Sequence, residues 1–216
     1  MVTSWFASLS GCTGVSDPAP ISHPPRPRVP VVILSPTTTT ERKMAKERGP
    51  HRTVDIQAVA QAARERFVLG PRSVHGPAHR QRVMENGLKL ARLNQADQEL
   101  VELFALLHDC CREGDGADML HGPRAAALMK TWRADLLAGL EPERFNLLHE
   151  AVRDHTLGKV HKDITIGTCW DADRLDIGRV GRKIQPGYLS TREAKKASII
   201  RWAYDRSRGI GPPPRR

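Results

Sequence analysis

Residues 96–111 read Ala-Asp-Gln-Glu-Leu-Val-Glu-Leu-Phe-Ala-Leu-Leu-His-Asp-Cys-Cys, and the reading of this stretch decides the fold. Leu100, Leu103, Phe104, Leu107 and Cys111 recur at steps of three and four, the period of an α-helix with one apolar face. Ala96-Asp97 opens the helix. His108 stands four residues after Phe104, so its imidazole falls on the buried stripe, and Asp109 follows directly. A carboxylate taken into a core without a partner costs several kcal/mol, so a cation or a metal is expected beside it.

The same period continues on both sides. Upstream, Ile56, Val59, Ala60, Ala63 and Phe67 share one face of a helix over residues 54–68, which Leu69-Gly70-Pro71 ends. A second helix starts near Pro77, a residue suited to the first helical position, and buries Val83, Gly87, Leu90 and Ala91. Downstream, Gly114-Asp115-Gly116 breaks the central helix. A fourth helix is expected over 123–138, with Ala125, Leu128, Met129, Trp132 and Leu136 inward, and a fifth from Pro142, with Phe145, Leu148 and Val152 inward. A loop over 158–167 leads to a sixth around 168–180. Ser190 and Glu193 form an S-x-x-E capping box for a last helix ending at Gly209. No segment alternates with period two, so the fold class is all-α, a single helical-bundle domain over residues 51–209.

Residues 1–50 have another character. Pro18, Pro20, Pro24, Pro25, Pro27, Pro30 and Pro36 precede the run Thr37–Thr40, and no apolar period runs through them. Such a segment buries too little surface to offset its ordering entropy, so a disordered extension is expected there, with a basic tail at 210–216. Met44, followed by Ala45-Lys46, would serve equally well as a start, because the organised pattern begins only near His51. Trp5–Leu9 is faintly apolar, but no Lys or Arg precedes it and the run is too short for a signal peptide. Nothing reaches the roughly 18–20 apolar residues of a membrane helix, so a soluble, cytoplasmic protein is expected, with no membrane partner.

The chain carries +10 at neutral pH, and from residue 51 onward 28 Lys/Arg stand against 21 Asp/Glu, a balance of +7. That balance favours acidic partners: phosphate esters, nucleotides or nucleic acid. The charges are dispersed and aromatic residues make up only 5%, which weakens the case for a stacking surface that binds single strands. Cys12, Cys110, Cys111 and Cys169 contain no C-x-x-C pair and read as reduced packing residues.

Other ionisable residues fall on the inner stripes as well. His79 lies four before Val83, His155 three beyond Val152, and Asp173 four after Cys169. A lone histidine on such a stripe is usually a satisfied core residue. Several helices, each sending an imidazole or a carboxylate inward, point instead to an interior metal, and mixed His/Asp ligation suits Fe, Mn, Zn or Co.

His79 in His79-Arg80-Gln81-Arg82-Val83, the doublet His108-Asp109, and Asp173 in Asp171-Ala172-Asp173-Arg174-Leu175 together resemble the H…HD…D signature of the HD (His-Asp) superfamily of metal-dependent phosphohydrolases. The likeness covers about half the chain. It implies an HD-type helical core with His79, His108, Asp109 and Asp173 as metal ligands. Some members add two histidines between the doublet and the last aspartate, for a second metal bridged by the doublet's carboxylate. His121 and His155 stand in that order here, although His121, at a helix entrance, would equally suit a capping or surface role. The H-x-x-x-H spacing of His75 and His79 offers another candidate, although His75 reads more readily as a loop residue near the mouth, and Asp171 as solvated or supporting.

The resemblance implies one or two divalent ions (Mn, Fe, Co, Zn or Mg) acting on a small phosphorylated substrate. Asp109 would bridge them, and Glu113, one turn on, would orient or deprotonate the attacking water, where an exposed helix-end carboxylate is the plainer reading. Some relatives use an acidic pair just after the doublet, and here Arg112 takes the nearer place. Arg112, Arg124 and Lys159 are candidate phosphate clamps. Two other functions fit the same pattern: a di-iron oxygenase like the inositol oxygenases, and a non-catalytic ligand- or RNA-binding module stabilised by its metal. The basic tail suits the latter.

Overall fold

Asp55 starts the first helix of the computed structural model, in which residues 53–209 are described; the expected disordered extension and basic tail lie outside them. Its carboxylate accepts from the amides of Gln57 and Ala58 and so caps α1 (Ile56–Arg66). Pro77 opens α2 (Pro77–Asn94), which closes at Gln95 in the left-handed region (φ 62°). Asp97 caps α3 (Gln98–Leu107) through the Leu100 amide. There follow α4 (His121–Thr131), α5 (Pro142–Asp154), α6 (Ile164–Arg174) and α7 (Ala197–Ser207), with 3-10 turns at Ile177–Val180 and Pro186–Tyr188. Among the described residues there is no strand, and the fold is all-α.

α3 is the axis of the bundle. It packs against α1, α2, α5 and α6, while α4 lies along α5, and α7 sits against α2 and the 177–180 turn. Leu100, Leu103, Phe104 and Leu107 are wholly buried. Each such side chain is worth about 1.5–3 kcal/mol of apolar burial, so this one face anchors the main core. A smaller core of Leu90, Leu175, Ile184, Leu189, Ala194, Ile199 and Ala203 joins the C-terminal segment to the end of α2. At Gly87 a Cβ would lie 2.4 Å from Val101 Cγ1 and 3.3 Å from Ala172 Cβ, so the glycine lets α2 approach α3 and α6 closely.

Several boundaries differ from the sequence reading; α6, for one, ends at Arg174 and not near 180. α4 begins at His121 and ends at Thr131, the chain turning irregularly through the rest of the expected helix. α6 begins at Ile164, capped by Asp163, because Gly167 is an interior helix residue packed on Ser190 (2.9 Å to its Cβ from a built one) and not a loop end. α7 begins at Ala197; Ser190 and Glu193 do not box it, and the Ser190 hydroxyl instead accepts from the His161 amide. Among the described residues no helix is long and apolar enough to cross a membrane.

Candidate metal centre

α3 ends at Leu107, and the next residues turn more tightly, with the Cys110 amide donating to Leu107 O. That turn aims His108 and Asp109 into the space between α2, α4, α5 and α6. His79 enters from the first turn of α2, His121 from the first residue of α4, His155 from the end of α5, and Asp173 from the last turn of α6. The approach of α4 to α5 depends on Gly122, where a Cβ would lie 2.8 Å from Val152 O and 2.7 Å from Arg153 O. Backbones this close bring the His121 and His155 rings to 4.7 Å between centroids.

Asp109 lies between two histidine pairs. Its Oδ2 is 3.4 Å from Nε2 of both His79 and His108, and its Oδ1 is 3.0 Å from His121 Nε2 and 3.8 Å from His155 Nε2. Asp173 Oδ1 completes the first side, 3.4 Å from His79 Nε2 and 4.0 Å from His108 Nε2. His79, His108 and Asp173 thus form one group able to hold a metal ion, and Asp109, His121 and His155 a second. A third overlaps the first and consists of His75, His79 and Asp109.

The tautomers test whether these residues fit a metal. His79 Nδ1 faces Asp176 Oδ2 at 2.7 Å, His108 Nδ1 faces Phe104 O at 3.2 Å, and His155 Nδ1 faces Val152 O at 2.8 Å. His121 Nδ1 faces Asp118 O. Each Nδ1 thus has an acceptor for its proton and each Nε2 turns inward, the arrangement that metal-ligating histidines use. Yet the Nε2 atoms of His79 and His108 are 3.2 Å apart, and those of His121 and His155 are 2.7 Å apart. Nitrogens facing each other, and Asp109, at such distances need a shared proton or a cation between them. The residues fit one.

Electrostatics agree. Burial disfavours charge on His79, but Asp109, Asp173 and Asp176 outweigh it and push its pKa up to about 9. Burial likewise opposes ionisation of Asp109, and His108, His121 and His155 nevertheless hold its carboxyl well below the usual range. Asp173 is held below that range too, by His79 and His108 against its burial. The carboxylates stay ionised and call for positive charge beside the imidazoles.

The remaining sequence candidates stand further out. Arg112 is buried, donates to Gly114 O and Gly116 O, and places NH1 3.6 Å from Asp109 Oδ1. Glu113 has a side chain 73% exposed and pairs with Arg124 at 3.4 Å. Arg124 also binds Cys111 O and Asp118, and both it and Glu113 line a groove of about 460 Å³. Lys159 is exposed in the loop after α5.

Several residues have roles that sequence reasoning missed. Of the two readings open for His121, the buried one holds, and His75, in the turn before α2, is buried against Asp109 Oδ2 at 2.8 Å. Asp171 is not solvated: it is fully buried and accepts from the Ser190 and Thr191 amides and the Thr191 hydroxyl. Burial pushes its pKa up, more than those hydrogen bonds lower it. Asp176 orients His79 and is held in turn by Arg82 at 2.6 Å. The Thr156 hydroxyl reaches His121 Nε2 at 3.1 Å. A second carboxylate three residues beyond Asp173 was the available signal for Asp176; nothing comparable marked Thr156.

Fold and centre together define an HD-type helical domain, with the H…HD…D residues gathered at one point. A solved structure from an uncultured Thermotogales bacterium, described as a predicted HD superfamily hydrolase, superposes with a TM-score of 0.56 at 24% identity, over 78% of this chain and 93% of that one. Among curated proteins, the symmetrical bis(5'-nucleosyl)-tetraphosphatase of Staphylococcus aureus (strain NCTC 8325 / PS 47) is 29% identical over 121 residues. That match takes in 47% of this chain and 58% of the relative, so the chain spans little more than half the relative's length. No family model matches the chain.

Proposed function

We propose that the protein is a metal-dependent phosphohydrolase acting on a small phosphate ester of the nucleotide class. The observation that carries this reading is Asp109, whose two carboxylate oxygens face two separate histidine pairs. His79, His108, Asp173 and Asp109 Oδ2 would hold one divalent ion (Mn, Fe, Co, Zn or Mg); His121, His155 and Asp109 Oδ1 would hold another. Such ions, when bound, polarise a phosphoryl oxygen and bring the pKa of a water near neutral. The chain's own part is to orient and to shield. Asp176, Phe104 O, Asp118 O and Val152 O fix the four imidazoles, and the surrounding core keeps bulk water from the ligands.

Arg112, beside Asp109 Oδ1, would meet an anionic group on the second side. Glu113 would take the proton of the attacking water from the rim, with Arg124 beside it, and Lys159 would meet outlying phosphates. The likeness to a nucleoside tetraphosphatase supports the substrate class. Metal analysis of chelator-free protein, with phosphate release from a nucleotide panel that includes dinucleoside tetraphosphates, tests the reading. Hydrolysis is expected only with added metal, and lost together with metal in His108→Ala. Metal loss without loss of hydrolysis refutes the reading, and oxygen uptake in place of phosphate release would point to an oxygenase.

A further inference from the structure

Three guanidinium groups adjoin the histidine pairs, and counting their donors separates them. Arg82 gives both Nε (2.6 Å) and NH2 (3.1 Å) to Asp176. Arg112 gives Nε to Gly114 O and NH2 to Gly116 O, and its NH1 lies 3.3 Å from both ring nitrogens of His121 and 3.6 Å from Asp109 Oδ1. Arg179, from the 3-10 turn after α6, gives Nε to Val74 O at 2.9 Å and NH1 to Asp176 O at 3.2 Å. Among the described residues, its NH2 meets one polar atom, His75 Nδ1, at 3.3 Å.

His75 Nδ1 lies closer to Asp109 Oδ2, at 2.8 Å, than to Arg179. When that nitrogen carries a proton it donates to Asp109 and has no lone pair for Arg179. NH2 is thus a cationic donor on a guanidinium already fixed at its other two nitrogens, with no contact among the described residues beyond that histidine nitrogen.

The residues around it stand at the more open side of the centre. His79 and His108 side chains are 0% exposed and Asp109, His121 and His155 3%, whereas Asp173 is 23% exposed, His75 10% and Arg179 9%. Solvent reaches the first ligand group past Asp173, and Arg179 stands near enough to act on the charges of both Asp173 and His79.

We propose that Arg179 binds a phosphoryl oxygen of the substrate at the Asp173 edge, opposite Arg112, so that two fixed guanidiniums bracket the bridging carboxylate. This rests on the phosphohydrolase reading and adds to it the residue that captures the anion. A planar guanidinium held at two nitrogens presents the third without further loss of side-chain freedom, as oxyanion recognition favours.

The test uses full-length, Mn-loaded protein and inorganic phosphate as the probe, with affinity measured by calorimetry and metal content measured in parallel. Arg179→Gln is expected to weaken phosphate binding roughly tenfold or more, with metal stoichiometry unchanged and KM raised more than kcat is lowered. Arg179→Lys should recover part of the affinity. Unchanged phosphate affinity in Arg179→Gln overturns the proposal, as does a wild-type protein that does not bind phosphate. So does a loss that comes with lost metal, since Arg179 would then act through Asp176 and His79. If the wild type binds phosphate through Arg179 yet hydrolyses nothing in the nucleotide panel, the anion site stands and the phosphohydrolase reading falls.

Discussion

At the scale of the residue, the chemistry rests on which nitrogen of each histidine is free. His79 owes its inward Nε2 to Asp176, a fully enclosed carboxylate that also receives Arg82, so the ring is held at its far side. Asp176→Asn keeps the shape but weakens the acceptor that fixes the tautomer. Metal affinity should fall roughly 10–100-fold, read by competition with a chromogenic chelator, while the melting temperature of the metal-free protein moves little. An unchanged affinity would make Asp176 a packing residue only. The two sides of Asp109 give a second expectation. His155→Ala removes a nitrogen from the His121 side alone and should lower metal content by one ion, leaving the other. Asp109→Asn, which touches both sides, should weaken both ions. Plasma emission analysis of dialysed protein counts them, and equal loss in the two variants would contradict a bridge.

At the scale of the element, the helices that carry the ligands were legible because their apolar stripes are long and regular; α3 could be read almost residue by residue. The inward placing of His79, His108 and His155 on those stripes was legible for the same reason. What stayed open or escaped reading depends on contacts between elements. His121 reads in one dimension as a candidate at a helix entrance, and the Gly122 contact with the α5 carbonyls makes it a neighbour of His155. Gly167 reads as a breaker, since close packing on Ser190 is invisible in sequence, and α6 was begun too late on that account. Arg179 has no period at all and gains meaning only from its place beside His75. One inter-element tie makes a pH-dependent prediction. Glu99, in the first turn of α3, accepts from the Thr53 and Val54 amides, the Thr53 hydroxyl and Arg144 of α5. Burial opposes its ionisation, but the Val54 amide, Arg144 and Thr53 outweigh that and lower its pKa. A carboxyl with a lowered folded pKa stabilises fully above its unfolded pKa, and loses that contribution as pH falls through the folded one. Glu99→Gln should therefore cost about 1–3 kcal/mol at neutral pH, with the gap to wild type closing in acid melts. A gap that stays constant on acidification would show that the charge plays no part.

At the scale of the whole molecule, the charge is unevenly placed. Residues 53–178 hold 16 Lys/Arg against 19 Asp/Glu, whereas residues 179–208 hold nine against two. The positive excess of the described residues thus belongs to the C-terminal segment, which begins at Arg179 and includes α7, packed on the 177–180 turn beside the centre. Arg182, Lys183, Arg192, Lys195, Lys196, Arg201 and Arg208 are all exposed. Like charges carried so close together on one small core repel one another. On the proposed reading, the field they make would draw an anionic ester toward the centre before it touches the histidine pairs, raising the encounter rate without altering the chemical step. The consequence is kinetic. Raising ionic strength from about 0.01 to about 1 M shortens the Debye length from roughly 30 to roughly 3 Å, and kcat/KM for a phosphate ester should drop on the order of tenfold with kcat nearly constant. Reversing charge well away from the ligands, in Lys196→Glu with Arg201→Glu, should lower kcat/KM at low salt and leave the high-salt value where wild type has it. Two salt profiles that run parallel would mean that the basic segment takes no part in substrate capture.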